Sequence, residues 1–353
     1  MRLLQREVNL HLSIDRLRGF LLILFFCSAI SRSVCAQDQR PELFLQLPHQ
    51  GEVLDADFSP KGGYATAGQD GTVRIWSGES GLLSAILEAH PHGAMACRFD
   101  PSGNFLATGG VDGHVKIWET GNYRLVRDLA TKHEIHSVEW SGDGKILAAL
   151  DVLEEAFLWD ASSGSLLLGN GNPVIYEKDH PDHQVYPFYD LRHHLAFAPD
   201  NEHLLVAKRE GYALEVVAPP GSPAWNIPPI FPASINSSPN ANRIAITGMS
   251  NFLVYDGALS KVIARMNHGT SASPLRLSRD GKFAFYTDQN FAYVLDTENL
   301  TVVFSTSMKQ EFTQGVWKFT AAAISPNSQS ILLANDQGDF RIYRIASGQM
   351  VRQ

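Results

Sequence analysis

The chain has 353 residues and a formal net charge of −8 at pH 7. An acidic protein is repelled by phosphate backbones and anionic lipid surfaces, so this charge argues against nucleic acid and anionic membranes as partners. Beyond residue 36 the chain contains a single cysteine, Cys97, which excludes an internal disulfide there.

The N-terminal segment is predicted to be a secretory signal peptide. A basic stretch ending at Arg18 precedes the apolar run Gly19–Ile30, and Val34 and Ala36 supply the small residues of a cleavage site. The run is shorter than the roughly 20 residues that a transmembrane helix needs, so we expect no stable membrane insertion after cleavage. An uncleaved anchor is the alternative. The pattern predicts a leader over residues 1–36 and a secreted or periplasmic protein over residues 37–353.

A repeated unit of about 40 residues occupies the rest of the chain. The run Asp-Gly-Thr-Val-Arg-Ile-Trp, which ends at Trp76, returns as Asp-Gly-His-Val-Lys-Ile-Trp, which ends at Trp118. A turn precedes each such run, and it recurs at intervals of 41, 41, 57, 40, 40 and 47 residues. Its seven positions are Pro60, Pro101, Gly142, Pro199, Pro239, Arg279 and Pro326. This period is typical of an array of β-blades.

Each unit is predicted to contain four strands. In the first unit they are Val53–Phe58, Gly63–Gly68, Thr72–Trp76 and Leu82–Leu87, and an Asp-Gly pair marks the hairpin between the second and third. No segment shows a sustained helical period. We therefore predict an all-β fold over residues 37–353, a seven-bladed β-propeller of four-stranded antiparallel blades.

These residues resemble the WD-repeat (tryptophan-aspartate repeat) β-propeller family over about residues 41–353. The resemblance implies that a His before the inner strand, a Thr on the second strand, an Asp in the tight turn and a Trp on the third strand form a hydrogen-bonded network in each blade. The matching residues in the first two units are His49, Thr66, Asp70, Trp76, His90, Thr108, Asp112 and Trp118. The third unit keeps Trp159 but lacks the Thr and the turn Asp.

The ring of blades must close. In this family an N-terminal strand often completes the last blade, so the resemblance implies that residues 41–49 close the ring. The C-terminal segment Gly348–Gln353 is the alternative donor. Closure by either segment removes an open sheet edge.

Two intervals exceed the repeat length, and both insertions fall between blades on one face of the ring. Gly169–His194 carries a polar set and Met308–Lys318 an aromatic and basic set. Together they give the candidate partner-binding residues Asp179, His180, Asp182, His183, Phe312, Trp317 and Lys318. The polar set could hold a metal ion, but its spacing matches no known site, so we predict a surface loop and no metal. Exposed Phe, Trp and Lys are good interface anchors.

The chain lacks a nucleophile elbow, a phosphate-binding glycine loop, a paired-cysteine metal motif and a haem attachment site. We therefore predict no catalytic residue and no cofactor. The family resemblance implies a non-enzymatic exported protein that acts as a protein–protein interaction platform, with a protein or peptide bound on the inter-blade loop face. The alternative is an enzyme on the same scaffold, similar to a lactonase or a quinoprotein dehydrogenase, with a metal or cofactor at the central channel.

Overall fold

A computed structural model gives the structure of the protein. It describes residues 49–169, 194–208, 213–218, 232, 234–238, 241–248, 251–267, 274–287, 291–307, 318–348 and 350–352. Over these ranges the chain forms 27 strands in seven antiparallel sheets, and the strands of each sheet follow one another in sequence.

The strands of the first four sheets have the following bounds. They are β1 (Val53–Phe58), β2 (Tyr64–Gly68), β3 (Thr72–Trp76) and β4 (Leu83–Glu88); β5 (Ala94–Phe99), β6 (Phe105–Gly110), β7 (His114–Glu119) and β8 (Leu125–Ala130); β9 (Ile135–Trp140), β10 (Ile146–Asp151), β11 (Ala156–Asp160) and β12 (Leu166–Leu168); and β13 (Leu195–Phe197), β14 (Leu204–Lys208) and β15 (Ala213–Val217).

The last three sheets are built in the same way. Their strands are β16 (Ser234–Ser238), β17 (Arg243–Thr247), β18 (Asn251–Asp256) and β19 (Val262–Asn267); β20 (Arg276–Leu277), β21 (Phe283–Thr287), β22 (Phe291–Asp296) and β23 (Val302–Ser307); and β24 (Phe319–Ile324), β25 (Ser330–Asn335), β26 (Phe340–Arg344) and β27 (Met350–Arg352). The outer strand predicted for the fourth blade falls outside the described ranges.

Burial separates the inner strands from the outer ones. Every residue of β2 and β3 is buried, because neighbouring sheets cover both of their faces, whereas five of the six residues of β4 are exposed or half-buried. Inner strands of successive sheets pack side by side around the ring, and β24 packs against β1. One apolar cluster joins Val53 and Trp76 of the first sheet to Ala323 and Ile342 of the last. The predicted seven-bladed β-propeller is confirmed.

The C-terminal segment supplies the outer strand of the last blade, because β27 pairs with β26 through Arg352 with Ile342 and Met350 with Tyr343. This is the position that the sequence analysis assigned to residues 41–49. Residues 41–48 are not among those described, so a strand there stays a prediction. Within the described part of the chain, no helix has the length and apolar character that crossing a bilayer requires.

Candidate functional site

The predicted network residues of the first blade come together beside the start of β1. His49 Nδ1 donates to Asp70 Oδ1 at 2.9 Å, and its Nε2 accepts from the Thr66 hydroxyl at 2.9 Å. The Thr66 oxygen in turn accepts from Trp76 Nε1 at 3.0 Å. This chain of bonds runs from the turn into the core and ties the segment before β1 to β2 and β3.

The second blade repeats this arrangement. His90 Nδ1 lies 2.8 Å from Asp112 Oδ1, His90 Nε2 lies 2.8 Å from the Thr108 hydroxyl, and Trp118 Nε1 donates to that hydroxyl at 3.0 Å. Burial by itself lowers the pKa of His90, and this effect outweighs the opposing effect of the hydrogen bond that His90 donates to Asp112. The imidazole is therefore neutral at pH 7 and acts as both donor and acceptor.

Glycine is required where each imidazole packs. A Cβ atom on Gly68 would lie 2.1 Å from His49 Nδ1, and one on Gly110 would lie 2.3 Å from His90 Cγ. Real Cβ atoms essentially never make contacts this short. The glycine two residues after the threonine is therefore part of the network, although it contributes no hydrogen bond.

A basic side chain of the third strand balances each turn carboxylate. Arg74 lies 3.2 Å from Asp70, and Lys116 lies 3.5 Å from Asp112. Burial alone raises the pKa of Asp70, but hydrogen bonds from His49 and from the Gln50 N–H reverse the effect and hold it well below its ordinary value. The carboxylate is ionised and saturated with donors, which is the arrangement of a structural group.

The third blade keeps the tryptophan of this pattern, Trp159, but departs from it at the threonine, glycine and turn Asp positions. Ala149 replaces the threonine. Its pairing partner on the third strand lies two residues before Trp159, just as the partner of Thr66 lies two residues before Trp76. The glycine position is taken by Asp151 and the turn Asp position by Leu153. Glu155 stands at the position of Thr72 in the first blade, and Phe157 stands at the position of Arg74.

A displaced His–Asp pair remains in the third blade. His133 Nδ1 lies 3.0 Å from Asp151 Oδ2, while Asp151 Oδ1 accepts from the N–H groups of Leu153 and Glu155 at 2.9 and 2.8 Å. The His133 side chain is 36% exposed, against 1% for His49. Because Asp151 holds the glycine position, the imidazole cannot enter the blade. Burial raises the pKa of Asp151, opposite to the shift in the first two blades.

A second polar arrangement lines the centre of the ring, and we call it the channel layer. It occupies one register position on the seven inner strands, of which five hold polar residues and two hold alanine: Asp57, Arg98, Glu139, Ala196, Asn236, Arg276 and Ala323. Two of them bond to the next inner strand: Asp57 accepts from the Phe99 N–H at 2.8 Å, and Asn236 from the Leu277 N–H at 2.7 Å. These bonds satisfy N–H groups that an inner edge strand would otherwise leave without a partner.

Asp55 ties the channel layer together across the ring. Its carboxylate is buried, and it lies 2.5 Å from Arg98 of the second blade and 2.9 Å from Arg276 of the sixth. The Cys97 N–H also donates to it at 3.1 Å. Three blades are thus joined through one carboxylate.

Glu139 is a weakly compensated member of the channel layer. Its carboxylate lies 3.5 Å from Arg98 Nε. Burial raises the pKa of Glu139 to about 7, in spite of Arg98 and Arg276. Glu139 therefore binds its proton more tightly in the folded protein than in the unfolded chain, where it has its ordinary pKa of 4.5.

Glu139 should make stability depend on pH near neutrality. The folded state binds more protons than the unfolded chain between pH 4.5 and about 7, so stability falls as pH rises through this window. A Glu139→Gln variant lacks the ionisation. We expect the urea midpoint of the variant, relative to that of the wild type, to rise as the pH is raised from about 5 to about 8. Parallel pH profiles would contradict this assignment, since all other titrating groups are common to both proteins.

The predicted partner-binding residues fall almost entirely outside the described ranges. Asp179, His180, Asp182, His183, Phe312 and Trp317 are not described. Lys318 is, and its side chain is 64% exposed, with Nζ 3.9 Å from Glu52. This contact places the start of β24 beside the start of β1.

Neither the channel layer nor the His133–Asp151 pair was predicted from the sequence. A signal for the first existed, because Asp57, Arg98 and Glu139 are charged residues on apolar strands at successive intervals of 41 residues. The second had a weaker signal, a histidine before β9 and an aspartate at the end of the apolar strand β10. The spacing of this histidine and this aspartate follows the family pattern only in part.

Comparison with known proteins agrees with the fold. The family model described as "WD domain, G-beta repeat" matches residues 42–77 and 81–119. The Periodic tryptophan protein 2 homolog of Caenorhabditis elegans is 29% identical over 127 residues, which are 35% of this chain and 14% of that protein.

Two further relatives are named as subunits of assemblies. The Chromatin assembly factor 1 subunit FAS2 homolog of Oryza sativa subsp. japonica is 30% identical over 134 residues, 33% of this chain and 26% of that protein. The Transcription initiation factor TFIID subunit 5 of Caenorhabditis elegans is 29% identical over 143 residues, 39% of this chain and 22% of that protein. The chain thus spans about a quarter or less of the length of these relatives.

The expectation of a secreted or periplasmic protein is wrong. Relatives named for chromatin assembly and for transcription initiation point to the cell interior rather than to export. The expectation depended on residues 1–36, which the structure does not describe.

The repeated motif, the seven blades and the two units matched by the family model lead to the same conclusion. The first two blades are WD repeats, and the ring has the β-propeller fold that the resemblance to the WD-repeat family implies.

Proposed function

We propose that the chain is a non-enzymatic platform for protein–protein interaction, and that a protein or peptide docks on the face of the ring where the inner strands begin. We call this the turn face. Antiparallel pairing puts the tight turns there, and the same backbone bond recurs in the first three blades, from Gln69 N to Glu52 O, Val111 N to Gly93 O and Val152 N to Glu134 O. Relatives named as subunits of assemblies support a binding role.

The observation that carries this proposal is the exposure of Leu153. Its side chain is 65% exposed at the tip of the third-blade turn. In the first two blades the same turn position holds Asp70 and Asp112, which are engaged in the blade networks. A large apolar side chain at a turn tip adds nothing to the core. It is the kind of residue that anchors a partner.

The net charge of −8 favours a protein rather than a nucleic acid as the proposed partner. The enzymatic alternative gains no support from the carboxylates at the described channel. Asp55 is held between two arginines, Asp57 accepts a backbone N–H, and Glu139 pairs with Arg98. These are the contacts of a structural network.

Leu153→Asp should weaken partner binding without unfolding the protein. The partner would be isolated from native cells with the wild-type chain, and its affinity then measured with each purified variant. Loss of an anchor residue costs about 1–2 kcal/mol, which corresponds to a drop in affinity of about fivefold to thirtyfold. Val302→Asp is the matched control, because Val302 is 54% exposed on the outer strand β23.

The two insertions give a second arm to this experiment. Deletion of residues 172–186 combined with Trp317→Ala should also leave a folded ring with weakened binding. If Val302→Asp abolishes binding while Leu153→Asp and the deletion variant bind fully, the partner docks on the blade rims and the turn face is excluded.

A further inference from the structure

We propose that His133, Asp151 and Glu155 form a binding site for a divalent transition-metal ion such as Zn²⁺ at the turn of the third blade. They offer one imidazole nitrogen and two carboxylate oxygens, and these ligand atoms all lie within 4.8 Å of one another. No metal was predicted from the sequence, where the candidate ligands were the histidines and aspartates of the 169–194 insertion.

The geometry of the donor atoms suits a metal ion. His133 Nδ1 and Asp151 Oδ2 are 3.0 Å apart. Two ligands at about 2.1 Å from one tetrahedral ion are about 3.4 Å apart, so this pair would need to open by only about 0.4 Å to bind one. Backbone N–H groups bind only the other oxygen of Asp151, Oδ1. These bonds orient the carboxylate as the outer hydrogen bonds of a metal ligand do, and they leave Oδ2 directed at the histidine.

The negative charge at the third-blade turn also favours a bound cation. In the first two blades Arg74 or Lys116 neutralises the turn carboxylate. The third blade has Phe157 at that position and gains a second carboxylate in Glu155. Among the residues that the structure describes, no lysine or arginine forms an ion pair with Asp151 or Glu155. Asp151 is fully buried, and a buried carboxylate without a cation is costly, so a bound cation would supply the missing charge.

The donor set selects the class of ion. An imidazole ligand suits Zn²⁺, Ni²⁺ or Cu²⁺, whereas Mg²⁺ and Ca²⁺ prefer sites made only of oxygen. Three protein ligands leave one position of a tetrahedral ion for water. The site is therefore expected to bind Zn²⁺ and not to bind Mg²⁺.

The test is a calorimetric titration of the full chain, stripped of metal by a chelator, with Zn²⁺ alone and with Mg²⁺ alone. We expect one tight Zn²⁺ site, a rise in melting temperature on binding, and no response to Mg²⁺. Glu155→Gln and His133→Ala should each lower the affinity for Zn²⁺ by about tenfold or more. His114→Ala is the matched control, since it removes a partly exposed histidine that lies 2.5 Å from Asp128.

The experiment must distinguish this site from the 169–194 insertion, so a His180→Ala, His183→Ala double variant is included. We expect that variant to keep the tight site. The proposal is overturned if the wild type binds no Zn²⁺, or if the double variant loses the ion while Glu155→Gln retains it. If His133→Ala does not fold, Glu155→Thr decides, because it installs the residue that the first blade has at this position, Thr72.

Discussion

Replacing Asp55 by alanine should lower the free energy of unfolding by about 3–5 kcal/mol, because it removes one partner from a buried ionic cluster. Arg98 and Arg276 would then face each other inside the ring without the carboxylate that now lies 2.5 and 2.9 Å from them. The Cys97 N–H would also lose its acceptor. The loss would be measured by urea unfolding at pH 7.

Glu298→Ala provides the control for this measurement. Glu298 also pairs with an arginine, Arg243, at 3.4 Å, but its side chain is 77% exposed. Surface pairs of this kind contribute little, so the control should unfold close to the wild type. If Asp55→Ala unfolds where the control does, the cluster does not hold the ring together.

Replacing Asp70 by alanine should lower the free energy of unfolding by about 1–3 kcal/mol, since buried donors lose a charged acceptor. The carboxylate accepts from His49, from the Gln50 and Thr72 N–H groups and from the Thr72 hydroxyl. The pKa of Asp70 lies well below its ordinary value of 3.8. The stabilisation is therefore present above pH 3.8 and is lost as pH falls below it.

Urea unfolding of wild type and Asp70→Ala at pH 7 and at successively lower pH tests both statements. The gap between the two proteins should be widest at neutral pH and should close in acid. Asp128→Ala, which removes a half-exposed partner of His114, is the matched control and should leave the midpoint near that of the wild type. A constant gap at all pH values would show that the ionised carboxylate is not the stabilising form.

The parts of the structure that follow from local spacing were predictable from the sequence. His90, Thr108, Asp112 and Trp118 lie within one repeat, and a hairpin turn fixes their distances, so the motif alone brings them together. The blade count follows in the same way from the recurrence of the turn.

What depends on packing between blades was harder to predict. The contact between Asp55 and Arg276 joins residues 221 positions apart, and it exists only because the ring closes. The charged residues at 41-residue intervals could have indicated the channel layer, but which arginine meets which carboxylate depends on the register of several sheets. The third-blade site was missed because its aspartate occupies a glycine position, where the family pattern predicts no side chain.

The ring also has a consequence for how the protein is made. A ribosome adds about 5–20 residues per second, so Asp55 leaves it roughly 10–40 seconds before Arg276 does. During this interval the first blade already contains a carboxylate that the finished protein buries, and its inner flank lacks the neighbour that β24 later provides. A nascent chain with uncovered strands is prone to association, so we expect the growing polypeptide to depend on chaperone shielding until the sixth and seventh blades emerge.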